Sequence, residues 1–309
     1  MQFIKTFIIA ALLPGLFLVP VKAQDSSFVK STTVVSLGET GVRINVYEKA
    51  GNNITFVAPH YNEQAGTKIA KESIRENGGR LVEVESFDRS GNPSRRLSFK
   101  FEGKYYSIDP NRVFTDNGRQ CGNIAPEIDN AVKDFARSFL KIVLSGDSNR
   151  LRDGEKFLVA VHNNSDVDDK SEDDKANDLT AVAFVKNIRF QQSIHGAFQE
   201  QAEGVYLSNV EDDKDNFVFL STPAFIGFFA EKGFNVVVQK SAARLQSQKC
   251  SVDDGSLSVF AGQQNIPYIN LEADAKNGSF RQKQMIEAVY ELLQGNVKAG
   301  SRLQELAVK

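Results

Sequence analysis

Two kinds of apolar pattern take turns along the chain. Short continuous runs, "ITFVAPH" (54–60), "FLVAVHNN" (157–164), "NFVFLST" (216–222), "FNVVVQKS" (234–241) and "IPYINLEAD" (266–274), carry apolar side chains at adjacent positions. Such runs belong to strands covered on both faces. Between them lie segments with helical spacing. "GTKIAKESIRENGG" (66–79) places Ile69 and Ile74 on one face and stops at Gly78-Gly79. "APEIDNAVKDFARSFLKIVLSG" (125–146) puts Ile128, Val132, Phe135, Phe139 and Ile142 on one stripe, the mark of an amphipathic helix. "PAFIGFFAEKG", "GSLSVFAGQQN" and "SFRQKQMIEAVYELLQG" read as further helices. Near the amino terminus "STTVVSLGETGVRINVYEKAG" alternates around glycines and predicts a hairpin at the sheet edge, and "RLVEVESF" and "RRLSFKFEGKYYSID" predict further strands. Strands alternating with helices predict an α/β fold, a single domain with a mixed, largely parallel central sheet flanked by helices.

The first stretch falls outside that pattern. "MQFIKTFIIAALLPGLFLVPVKA" has Lys5 near its start, an apolar run, and Val21-Lys22-Ala23 at its end. This reads as a secretory signal peptide over residues 1–23, with the folded domain over 24–309. Pro14, Gly15 and Pro20 interrupt the run, which is shorter than the ~20 residues of a spanning helix. The expectation is therefore an exported chain, periplasmic or extracellular, with no stable membrane span after cleavage. Export changes the reading of Cys121 and Cys250, the two cysteines of the chain. An oxidising compartment favours a disulfide between them over two free thiols, provided that their Cα atoms come within about 7 Å. Composition excludes little else: 37 basic against 39 acidic residues is near balance, and no cluster of Lys and Arg argues for nucleic acid as a partner. The acidic run at 165–178 reads as a solvated loop, since it lacks the spacing of a calcium loop. The tail from Asn296 reads as a loosely docked extra helix.

Candidate chemistry gathers at predicted strand ends. The chain has three histidines, His60, His162 and His195. "VAPH" ends in His60, with Glu63 three residues on; "SIDPNR" ends in Asn111 and Arg112; "VAVHNN" ends in His162; "IPYINLE" ends in Glu272. Ligand sites of α/β sheets lie outside the carboxyl ends of the strands. Two imidazoles and a carboxylate are the three-ligand set of catalytic zinc, which leaves a position for water. Glu272 is then the carboxylate free to move protons, and Arg112 can hold a substrate carboxylate with a bidentate fork. His195, in "QQSIHGAF", has no partner pattern and reads as structural or surface.

The order H-x-x-E, D-x-N-R, H, then a strand bearing Glu resembles the zinc carboxypeptidase superfamily, which includes succinylglutamate desuccinylases and aspartoacylases. The resemblance covers most of residues 54–294. It implies His60, Glu63 and His162 as ligands of one zinc ion per chain, Asn111 and Arg112 as binders of a substrate carboxylate, and Glu272 as general acid and base. "GSLSVFAGQQNIPYINLEAD" is similar to the segment leading into the catalytic Glu. It implies Leu257, fifteen residues earlier, as an apolar floor of the specificity pocket. Two features depart from the pattern. No Tyr stands near Cys250, where digestive carboxypeptidases carry one, and Arg95, Arg96, Lys104 and Arg119 all compete as the oxyanion-stabilising cation. The implied activity is an exported metallocarboxypeptidase acting on peptides, with an N-acyl amino acid deacylase using the same zinc site, or a non-catalytic zinc-binding surface protein, as alternatives.

Overall fold

The computed structural model describes residues 27–52, 54–122, 124–145, 158–164, 201–206, 208–209, 211–213, 215–246 and 249–293. The leader at 1–23, the acidic run at 165–178, His195 and the tail from Asn296 lie outside the described residues. Among the described residues, no helix is long and apolar enough to cross a membrane.

Nine strands form one mixed sheet. The amino-terminal hairpin is β1 (Val29–Leu37) and β2 (Thr40–Lys49), antiparallel as its alternation predicts. Next come β3 (Thr55–Ala58) and β4 (Gly79–Val84), joined by α1 (Gln64–Asn77). A separate two-stranded hairpin follows, β5 (Leu97–Phe101) and β6 (Lys104–Ile108). Beyond it are α2 (Asp116–Cys121), α3 (Asp129–Val143) and β7 (Leu158–Asn164). The last part contains β8 (Ala202–Tyr206), β9 (Phe217–Leu220), α4 (Ile226–Glu231), β10 (Val236–Gln239), α5 (Ala242–Leu245), α6 (Leu257–Gln263), β11 (Tyr268–Asp274) and α7 (Ser279–Leu293).

The strand order is β1-β2-β4-β3-β7-β11-β9-β10-β8. The four central strands β4, β3, β7 and β11 run parallel, while the antiparallel pairings lie toward the edges. Three elements are absent from the pattern read in the sequence: β8, α2 and α5. Each is short, between four and six residues, so no periodicity can develop within it.

Alternation along the central strands divides the core in two. Phe56, Val159, Val161, Ile269 and Leu271 pack with Ile69 and Ile74 of α1 and Ile286 and Val289 of α7. Val57, Ala160 and Tyr268 pack on the other face with Val132, Phe135 and Phe139 of α3 and Leu257 of α6. Burying these side chains on both faces is the main driving force for the layered arrangement, since apolar area removed from water stabilises in proportion to its extent. The period of two has a second effect. His162 follows Ala160, and Asn270 and Glu272 follow Tyr268, on the face toward α3 and α6.

Candidate active site

The site assembles at the carboxyl ends of β3, β7 and β11. His60 lies two residues past β3, in a turn closed by the Glu63 N–H donating to the His60 carbonyl at 3.3 Å. Glu63 is the N-cap of α1, yet its side chain makes no cap bond. An N-cap carboxylate ordinarily satisfies a helix-end N–H, worth about 1 kcal/mol. Here the carboxylate turns instead to the histidines: Oε1 lies 2.7 Å from His60 Nδ1 and Oε2 lies 2.8 Å from His162 Nδ1. The Asn163 N–H also donates to Oε2, at 3.2 Å. The imidazoles meet edge to face with centroids 5.0 Å apart. All three residues are buried, and one donor atom from each lies within 4.8 Å of the others.

Asp109 holds the other side of the His60 ring. Its Oδ1 sits 2.9 Å from His60 Nε2. Burial alone would raise the Asp109 carboxyl, but His60 and Arg95 outweigh it and hold Asp109 well below the usual range. Burial likewise opposes ionisation of Glu63, and His60 and His162 outweigh it and lower that carboxyl too. Burial would lower His162, but the Glu63 charge outweighs it and raises the imidazole. An acceptor at His60 Nε2 would leave Nδ1 to face a bound cation. One nitrogen or oxygen from each of two imidazoles and a carboxylate therefore meets at one place, and the residues fit zinc by donor type and convergence.

Glu272 is the register partner of His162 across the β7–β11 pairing. Its Oε1 accepts from Asn270 Nδ2 at 2.6 Å, and its Oε2 is buried with no partner. Burial, reinforced by the negative charge of Glu63, pushes the Glu272 carboxyl up. A carboxylate with one unpaired oxygen beside a candidate metal site is ready to take a proton.

The remaining residues come from outside the central sheet. Asn111 and Arg112 follow the β5–β6 hairpin rather than a strand of the main sheet. The Asn111 N–H donates to Asp109 Oδ1 at 2.7 Å, and Asn111 Oδ1 accepts from the Leu257 N–H at 3.0 Å. Those bonds leave the Asn111 amide nitrogen for a ligand. Arg112 does not pair with Asp109 or Asp116; it faces Asp254 at 3.5 Å. Of the four cations competing at the sequence level, Arg95 alone lines the cavity. It donates to Glu63 Oε1 at 3.1 Å and to Asp109 Oδ2 at 3.2 Å. Arg96 is bonded to Ser107, and Arg119 to Asp129 and Asp116.

One cavity lies among these side chains. His60, Glu63, His162, Glu272, Asn111 and Arg112 all line it. Leu257 does not: its side chain is fully buried in the core against α3, and Ser256 and Ser258 on either side of it line the cavity instead. Sequence reasoning missed Asp109 as the partner of His60 and missed Asn270. The second carried a signal, a carboxamide in the middle of a buried strand two residues before Glu272.

No known family profile matches the chain, and no curated protein matches it. Among solved structures the chain is similar to a "putative carboxypeptidase" from Burkholderia mallei at 11% identity, covering 85% of this chain and 64% of that one, with a TM-score of 0.38. It is also similar to an aspartoacylase family protein from Mesorhizobium loti at 13% identity, covering 90% and 70%, with a TM-score of 0.36. The chain thus spans less than two thirds of the first of these. At TM-scores below 0.5 neither likeness carries a function for this chain; the geometry of the site has to do so.

Proposed function

We propose that the protein is an exported zinc-dependent hydrolase that cleaves an amide bond next to a free carboxylate, most simply a metallocarboxypeptidase acting on peptides. One observation carries the reading. One potential ligand atom each from His60, Glu63 and His162 lies within 4.8 Å of the others, and the unpaired oxygen of Glu272 lies on the neighbouring strand in register with His162. A binding protein has no need of that second carboxylate.

His60, Glu63 and His162 would hold the ion. Zinc, when bound, lowers the pKa of a water molecule and polarises a carbonyl. The chain's own residues supply the rest. Arg112 and the Asn111 amide fix the substrate carboxylate, which orients the scissile bond and removes part of the entropic barrier. Glu272 takes a proton from the attacking water as the new C–O bond forms, and gives it to the departing amine nitrogen as the C–N bond breaks. Arg95 places positive charge where the carbonyl oxygen becomes negative. The bridge between Cys121 and Cys250, with Cα atoms 5.3 Å apart, supports the exported setting, because such bonds persist in oxidising compartments.

The test is elemental analysis together with a substrate panel. About one zinc per chain is expected, lost in His60→Ala, with release of the carboxyl-terminal residue from short peptides. Cleavage of N-acyl amino acids but not of peptides would move the assignment to a deacylase with the same centre. A wild-type protein that stays metal-free at neutral pH with zinc supplied would overturn the reading.

A further inference from the structure

The cavity wall beyond Glu272 is polar where the sequence resemblance implies an apolar floor. Asn270 donates its Nδ2 to Glu272, which turns the amide so that Oδ1 faces away. That Oδ1 is buried and has no partner. Its register neighbours on the adjoining strands are Ala160 and Phe219, neither of which has a side-chain donor to offer. Gln201, immediately before β8, lines the same cavity and is 2% exposed. Its Nε2 is likewise buried without a partner. An unmet acceptor and an unmet donor therefore share one small cavity. Buried polar groups left unpaired are costly, so a ligand that displaces solvent here has to replace the lost bonds.

We propose that this wall is a specificity subsite for a side chain that both donates and accepts hydrogen bonds, and that the preferred residue bearing the free carboxylate is a carboxamide, glutamine or asparagine. The proposal rests on the hydrolase reading for its substrate class. A carboxamide N–H meets Asn270 Oδ1 while its carbonyl accepts from Gln201 Nε2. A leucine side chain would strand both groups. A lysine ammonium only donates and leaves Gln201 unmet. A glutamate only accepts, and adds negative charge near Glu272 and Glu63. The Ser256 and Ser258 hydroxyls, 2.9 Å apart, also line the cavity and extend its polar character.

The experiment compares kcat/KM of the zinc-loaded chain on N-acyl-glycyl-X substrates with X as Gln, Leu, Lys and Glu. Gln is expected to exceed Leu by roughly 10- to 100-fold, the usual consequence of stranding a buried polar group. Asn270→Leu should slow every substrate, because it also releases Glu272. Gln201 has no bond to Glu272, so Gln201→Leu should lower kcat/KM for the Gln substrate and thereby collapse the Gln-to-Leu ratio. A wild type preferring Leu, Lys or Glu, or a ratio unchanged in both variants, overturns the proposal. Calorimetric binding of free L-glutamine and L-leucine reads the same subsite without turnover. Tighter binding of glutamine, lost in Gln201→Leu, sustains the subsite even if no substrate is cut, in which case the hydrolase reading falls instead. Equal binding of the two overturns the subsite.

Discussion

At the scale of single residues, two carboxylates beside the proposed metal ligands, Glu272 and Asp109, have separable duties. In the proposed mechanism Glu272 moves the proton, so Glu272→Gln should retain zinc and lose turnover by about 10²-fold or more; a variant that cuts substrate at the wild-type rate would remove Glu272 from the chemistry. Asp109 meets His60 Nε2 at 2.9 Å, so its part would be to orient that imidazole. Asp109→Ala should weaken zinc affinity by about 10- to 100-fold, read by competition with a chelator, and added zinc should restore much of the rate. Of these residues, His60, Glu63, His162 and Glu272 were legible in the sequence because each ends or follows an apolar run, in an order that restricts the chemistry. Asp109 was not. A carboxylate in a D-P-N-R turn reads equally well as the ion-pair partner of the arginine after it, and only the fold shows that Arg112 turns to Asp254 while Asp109 serves His60 and Arg95.

At the scale of elements, the wall that presents Arg112 depends on two segments lying unusually close. The Phe114 N–H donates to the Gly255 carbonyl at 2.9 Å, and the Thr115 hydroxyl, which caps α2, donates to Asp253 Oδ1 at 2.5 Å. Between them the backbones touch: a Cβ added at Gly118 would come 1.9 Å from the Gly255 Cα, and Gly255 itself has φ +79°. No rotamer relieves a contact with backbone. Gly118→Ala should therefore part the segments, costing about 1–3 kcal/mol and shifting the Asn111–Arg112 turn. The expected readout is a lower Tm together with a KM that rises more than kcat falls; an unchanged KM would show that the turn is held independently. This closeness had no counterpart in the sequence reading, because α2 is too short for a pattern. The β5–β6 hairpin was legible as two strands, but nothing in its alternation reveals that it stands apart from the main sheet.

Across the whole molecule, the central parallel block was legible because short continuous apolar runs read as strands buried on both faces, with helices between them to cover both. The pairing of residues distant in sequence was legible only as an option, and the Cys121–Cys250 bridge is the clearest instance. It spans a sequence separation of 129 residues, and within that span lie α3, β7, β8, β9, α4, β10 and α5. Cross-linking a loop of about 100 residues removes denatured-state entropy worth roughly 4.7 kcal/mol in the chain-entropy model. The bridge also ties the end of α2 to the segment ahead of α6, the two segments whose backbones meet at Gly118 and Gly255. Losing it should therefore act on stability and on the cleft together. Cys250→Ser, with Cys121→Ser to avoid a stray thiol, should lower unfolding stability by about 3–5 kcal/mol in urea titrations and raise KM for the carboxylate-bearing substrate, while zinc stoichiometry stays the same. The proposed metal ligands lie on β7, at the N-cap of α1 and in the turn after β3, none of which the bridge holds directly. A double variant as stable as the wild type would mean that the Phe114 and Thr115 bonds alone secure this wall. One that loses zinc would mean that the metal centre and the carboxylate wall fold as a single unit.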